Sequence, residues 1–439
     1  MSHKITSVKG PLPGPRSKEF FTRWARVEAQ CTGYQAQVAW DHASGVVVTD
    51  ADGNTFIDWT SGVLVTNVGH CHPDLVKAVQ EVSRKLLNNY ECLHESRVEA
   101  AEKLISVLPP FLDKCFFLTT GSETTEAALR IMKRKSGKFE IISFYGGFHG
   151  RTYAALSAGG LPGPKKGYGP TIPGSIRVPF PYCYRCPFRA DPATCDMLCL
   201  DYIEDAVRAN STGSLAGLIV EPYQGAAGFI FPPQGWLTRL EQWLRGRGLL
   251  FTLDEVQSSF GRTGKFWALE WEALTPDLVC IGKGIGSGVP ASAVAARGEV
   301  IGVLGPGEMS STLGGNPLAS AAVSAVVDIM RRERLEENAL RMGALMKSRL
   351  LEMMEKSPYV GDVRGLGLVM GVELVKDKKT KEPAPDLTRK LIDLAADLGL
   401  LIGSVGVFGN VIRVAPPLVI TEAEAHESLD IFEEAVSRL

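Results

Sequence analysis

The sequence predicts an α/β protein, with a mostly parallel sheet flanked by helices in a large domain and a smaller α+β domain beside it. Three observations lead there. Between about residues 115 and 296, short apolar runs alternate with helical patterns. The runs are continuously apolar rather than alternating, as strands buried on both faces require. From residue 360 a second, smaller set of strand and helix patterns follows, and 439 residues are enough for two cores.

Taken in order, the first 35 or so residues are broken by Pro and Gly and read as an arm with a short helix. Residues 46–60, VVVTDADGNTFIDWT, alternate around an Asp-Gly-Asn turn and predict a hairpin. Residues 72–89 place Pro73 near a helix start and then space apolar residues helically. Seven strands are expected at 115–118, 140–144, 175–179, 215–222, 249–256, 278–283 and 291–296, with helices such as SETTEAALRIMKR and GWLTRLEQWLRGRG between them. A long helical stretch covers 316–356. Two strands around glycines (360–375), a helix (386–403), a strand (410–420) and a closing helix complete the chain.

With 45% hydrophobic and 22% charged residues the composition is that of a globular protein, and a net charge of -2 offers nothing to nucleic acid or an anionic membrane. The first 20 residues hold no signal-peptide core and no apolar run reaches the roughly 20 residues of a membrane span. A cytoplasmic protein with mostly reduced cysteines is expected.

In open α/β sheets ligands bind beyond the carboxyl ends of the strands. There LTTGSETTEAALR sets Gly121 and Ser122 at a helix start, with Thr120 and Glu123 spaced as a capping box. Such a terminus is either a capped helix without ligand or an anion site. SFYGGFHGRT places Phe148, His149 and Arg151 after two glycines; Phe148 is either core or a ring to stack on a planar group. LLFTLDEVQSSFGRTG feeds buried strand directly into Asp254, with Gln257 beyond, and a carboxylate there needs a cation or donors. Lys283, in DLVCIGKGIGSGVP, stands at the next strand end, where apolar neighbours favour a neutral, nucleophilic amine. The glycines around it fit neither Gly-x4-Gly-Lys-Ser/Thr nor Gly-x-Gly-x-x-Gly, so phosphate-loop readings fail. A lysine, an acid, an aromatic ring and a helix N-terminus are together the parts that hold pyridoxal phosphate.

The motifs TTGSETTEAALR, FHGRT, LDEVQSSFGRTGKFWALE, GGNPLASAA and RVAPPL, with DADGNTFIDWTSGVLVTNVGHCHP before them, resemble the class III pyridoxal-phosphate-dependent aminotransferases of fold type I, in family order from about residue 40 to the end. The resemblance implies that Lys283 carries the cofactor as a Schiff base and moves the substrate proton, and that Asp254 holds the pyridinium nitrogen. Gln257 would bond the ring oxygen, Gly121 and Ser122 the phosphate, and Phe148 would stack on the ring. Thr312 would reach the phosphate of a neighbouring subunit, making the active unit a homodimer. Arg413 would take the α-carboxylate of 2-oxoglutarate or glutamate, Glu221 would screen that arginine for ω-amino substrates, and Arg151 would grip a distal carboxylate in a pocket lined by Val63. The implied reaction is amino transfer from a 4-aminobutyrate-like donor to a 2-oxo acid. Amine-pyruvate and acetylornithine or ornithine transaminases, and racemases or decarboxylases on the same fold, are the alternatives. A non-catalytic protein is disfavoured by intact Lys283 and Asp254. The implied division is an arm and part of the small domain (1–69), a cofactor-binding large domain (70–330) and a C-terminal small domain (331–439). Ala226–Ala227 and the glycines 282 and 284 depart from the usual family context.

Outside these motifs, Cys183, Cys186, Cys195 and Cys199 form a C-x2-C-x8-C-x3-C pattern. Structural zinc, two disulfides and four reduced thiols all fit it.

Overall fold

A computed structural model of the protein describes residues 4–33 and 35–439; residues 1–3 and Tyr34 of the expected arm lie outside the described residues. The chain divides into two compact units, Pro73–Glu333 and the combination of Met1–His72 with Arg334–Leu439.

The Pro73–Glu333 unit is built on seven strands: β1 (Lys114–Leu118), β2 (Glu140–Phe144), β3 (Ser175–Val178), β4 (Leu215–Val220), β5 (Leu250–Asp254), β6 (Leu278–Ile281) and β7 (Ser292–Ala296). Their order across the sheet is β1-β7-β6-β5-β4-β2-β3. β2 pairs in parallel with β3 and β4, β4 with β5, and β5 with β6. β7 runs antiparallel between β1 and β6, so β1 shares the direction of the other five. Every residue of β2, β4, β6 and β7 is buried, which explains why β4 and β6 read as continuously apolar and the other two as apolar apart from Glu140 and Ser143 in β2 and Ser292 in β7. Leu218 and Ile219 are fully buried, each contributing about 1.5–3 kcal/mol by leaving water. Helix α1 (Gly121–Ser136) follows β1; its Thr120–Glu123 capping box is formed and Gly137, at φ 68°, ends it in the left-handed region only glycine adopts freely.

The other unit holds two four-stranded sheets. In the first, the predicted hairpin appears as Val47–Asp50 against Thr55–Asp58. In the second, Val411–Val414 lies between Gly403–Val405 and Val369–Leu374, antiparallel to both.

Helix boundaries are where structure and expectation differ. The helix expected over 72–89 ends at Ser83, ahead of the Asn88-Asn89 pair of poor helix formers. The stretch 316–356 is two helices, Pro317–Glu333 and Leu335–Lys356, broken at Arg334, whose φ of 50° no helix accommodates. The helix expected to reach 403 stops at Leu398, because Gly399 takes φ 104° and caps it.

Candidate active site

The parallel strands aim their carboxyl ends at one edge, and the segments leaving five of them line a cavity of about 190 Å³. Thr120, Gly121 and Ser122 come from the β1–α1 turn, and Phe148, His149 and Gly150 from the segment after β2. Glu221, Tyr223 and Ala226 follow β4; Asp254, Val256, Gln257 and Ser258 follow β5; Lys283 follows β6.

Lys283 is half-buried and has φ 46°, a left-handed conformation costing a non-glycine residue of order 1 kcal/mol or more. Asp254 is buried at the end of β5, and both its oxygens are occupied. Oδ1 accepts the Val256 N–H at 3.1 Å, and Oδ2 meets His149 Nδ1 at 2.7 Å. Burial alone would depress the His149 imidazole, but its bond to Asp254, with Asp254 and Glu221 close by, holds its pKa above the ordinary value. His149 is the residue that the sequence reading leaves without a role; its place between Phe148 and Gly150 was the only signal.

The 148–151 segment is pinned at four points. Glu221 Oε1 accepts the Phe148 N–H (2.9 Å), Thr125 donates to the His149 carbonyl (2.8 Å), His149 meets Asp254, and Ser122 Oγ accepts the Arg151 N–H (3.1 Å). These bonds fix the Phe148 ring at the cavity. The other Glu221 oxygen accepts the Gly225 N–H at 3.1 Å. Burial pushes the Glu221 carboxyl up to about 7, with His149 pulling it down and Asp254 raising it further.

The cavity has room and open polar valences for a planar phosphorylated cofactor. Gln257 Oε1 is buried without a hydrogen-bond partner. A Cβ on Gly225 would fall 1.9 Å from that oxygen, and one on Gly150 would fall 2.5 Å from Ser122 Oγ, so the glycines hold space open around both. At the N-terminus of α1, Glu123 satisfies the Thr120 N–H and Thr120 that of Glu123, leaving the Gly121 and Ser122 N–H groups for an anion.

Four predicted residues do not line this cavity. Arg151 is exposed, its guanidinium 5.9 Å from the Phe148 ring centre. Thr312 is exposed. Val63 and Arg413 line a second cavity, of about 260 Å³, within the other unit, with Gln35, Trp40, Thr60 and Leu401. There Arg413 is 3% exposed, and its Nε and Nη2 have no partner. Burial lowers its pKa to about 10, against an opposing pull from Asp58.

Residues 30–436 match the family model described as aminotransferase class-III. The chain belongs to the class-III aminotransferases. It is 36% identical to the alanine/serine racemase of Pyrococcus horikoshii over 97% of this chain and 91% of that one. It is also 36% identical to the 4-aminobutyrate aminotransferase of Mycobacterium leprae, over 96% of this chain and 95% of that one. Among solved structures, an amine transaminase from an uncultivated Pseudomonas species in its PLP-bound form superposes with a TM-score of 0.88 at 28% identity, covering 94% of this chain and 98% of that one. This class-III aminotransferase is an enzyme whose cofactor is pyridoxal phosphate, and its family works on amino donors and 2-oxo acids.

The aminotransferase's four clustered cysteines are free thiols around a third cavity, of about 320 Å³. Burial raises the Cys183 thiol and pushes that of Cys199 up to about 11. Among the described residues no three His, Cys, Asp or Glu side chains are grouped to hold a metal, and no helix is long and apolar enough to cross a membrane.

Proposed function

We propose that this aminotransferase moves the amino group of an ω-amino acid of the 4-aminobutyrate type to a 2-oxo acid such as 2-oxoglutarate or pyruvate, in a ping-pong sequence, as a homodimer. The observation that carries the reading is Arg413, a buried guanidinium with two nitrogens open to a cavity. Such a group is costly until an acceptor completes it, and a carboxylate matches its fork with two parallel bonds.

Pyridoxal phosphate, when bound, supplies an aldehyde that takes up an amine and a ring that draws electrons from the carbon bearing it. Lys283 Nζ holds the cofactor and moves a proton at the substrate carbon. Asp254, oriented by Val256 and His149, would hold the ring nitrogen and keep a proton on it. Gln257, whose Oε1 is open, would bond the ring oxygen, Phe148 would stack on the ring, and the Gly121 and Ser122 N–H groups would hold the phosphate. Thr312, exposed on each chain, adds to the phosphate site of a neighbouring copy. Arg413 takes the α-carboxylate, and Glu221 screens that arginine when an ω-amino substrate, which has no α-carboxylate, is bound. Arg151 and Val63 select the distal end of the donor.

A second reading, racemisation of an amino acid, is favoured by the racemase relative. It uses the same lysine to remove a proton and return it to the same carbon. Steady-state assays separate the two. Amino transfer from 4-aminobutyrate to 2-oxoglutarate or pyruvate supports the first. Loss of optical rotation from L-alanine with no oxo acid consumed supports the second and overturns the first.

A further inference from the structure

The position of Arg413 in its sheet shows what allows a guanidinium to be seated there. Val411–Val414 is paired on both sides, and the register sets Arg413 opposite Gly403 on one neighbour and Gly371 on the other. Directly opposed residues of an antiparallel pair project to the same face, with Cβ positions about 4.5–5.5 Å apart. Both lateral neighbours of Arg413 on its own face therefore lack a side chain.

At Gly403 the space is occupied by the guanidinium itself. A Cβ there would stand 2.6 Å from Arg413 Nη2, 3.4 Å from its Cζ and 3.0 Å from Gln35 Oε1. No left-handed φ accounts for glycine at this position. Space, and not backbone freedom, is what the residue supplies. Nη2, the atom a methyl would strike, is also one of the two open nitrogens, the other being Nε. Nε and Nη2 form one edge of the guanidinium, from which two parallel bonds reach a carboxylate. Asp58 pulls on Arg413 from a distance, but no carboxylate lies within ion-pair distance of it among the described residues, so no ion pair fixes that edge.

We propose that Gly403 is a positioning residue for carboxylate recognition. By presenting no side chain it lets the Arg413 fork lie flat against the strand, with its Nε–Nη2 edge set for the α-carboxylate. The proposal rests on the reading of Arg413 as the carboxylate ligand and adds the residue that sets its aim. A methyl at 403 must move Nη2 by about 1 Å to reach an ordinary contact, which takes one of the two parallel bonds of the fork out of line with a carboxylate.

The test is a double-mutant cycle on the holoenzyme, using whichever of 2-oxoglutarate, pyruvate or L-alanine the wild type turns over. Gly403→Ala is expected to raise KM about 10- to 100-fold with kcat within about threefold, and to leave the thermal midpoint near that of the wild type. In an Arg413→Lys background, where the ammonium has no Nη2 to strike, the same glycine substitution is expected to change KM less than about twofold. If Arg413→Lys and Arg413→Ala both leave KM unchanged, the carboxylate reading falls and the proposal with it. If they raise KM while Gly403→Ala does not, the proposal alone is overturned. A Gly403→Ala loss confined to kcat, or equal in both backgrounds, likewise overturns it, because either would mark a general backbone effect.

Discussion

Glu221→Gln should make the cofactor-free protein more stable at high pH and no more stable at low pH. Burial raises the Glu221 carboxyl from an ordinary 4.5 to about 7. The folded state therefore holds this proton more tightly than the unfolded chain does. The stability it contributes is full below about 4.5 and is lost as pH rises through about 7. The gap between those values corresponds to about 3 kcal/mol, at about 1.36 kcal/mol per pH unit. Above it, the wild type must keep an ionised acid in a buried position, and glutamine need not. Against this, the Phe148 and Gly225 N–H groups donate to different Glu221 oxygens, and glutamine offers only one. The orphaned donor costs about 1–2 kcal/mol. The net expectation is a gain of about 1–2 kcal/mol near pH 8.5 that vanishes or reverses near pH 4.5. Urea unfolding of the cofactor-free protein across that range would measure it. A stability difference between variant and wild type that is the same at both ends would mean that the Glu221 carboxyl does not titrate with a raised pKa in the folded state.

Three other outcomes can be checked. His149→Ala removes a 2.7 Å bond to buried Asp254 and should weaken cofactor binding about 10- to 100-fold by fluorescence titration, whereas His149→Asn, which keeps an N–H near Nδ1, should recover much of it. Gly225→Ala would place a methyl 1.9 Å from Gln257 Oε1 and should lower cofactor affinity about tenfold while leaving the thermal midpoint within a few degrees. Thiol titration of the denatured, unreduced protein should find all nine cysteines, and elemental analysis should find no stoichiometric zinc.

What could be read from sequence follows how local the cause is. β4 and β6 were legible because burial on both faces leaves an uninterrupted apolar run. The placement of Asp254 and Lys283 was legible because a charge directly after such a run stands at a strand's carboxyl end. Helix ends were less so, since the break at Arg334 depends on one dihedral angle in a stretch that is helical on both sides. Contacts between distant segments left no local signal. His149 and Asp254 are 105 residues apart in sequence. The glycines flanking Arg413 become meaningful only once the strand register is known. Gly282, an unexplained departure in the sequence, has a packing reason: a Cβ there would approach Val256 Cγ1 to 3.0 Å and Gly121 Cα to 3.6 Å, tightening the β6 end against the α1 turn.

The donor proposed for this aminotransferase is an ω-amino acid. Mixing holoenzyme with 4-aminobutyrate and no acceptor, then counting products in a single turnover, tests it most directly. About one equivalent of the corresponding semialdehyde per bound cofactor is expected, and none from Lys283→Ala. No semialdehyde from 4-aminobutyrate, under conditions where L-alanine loses its optical activity, would contradict it.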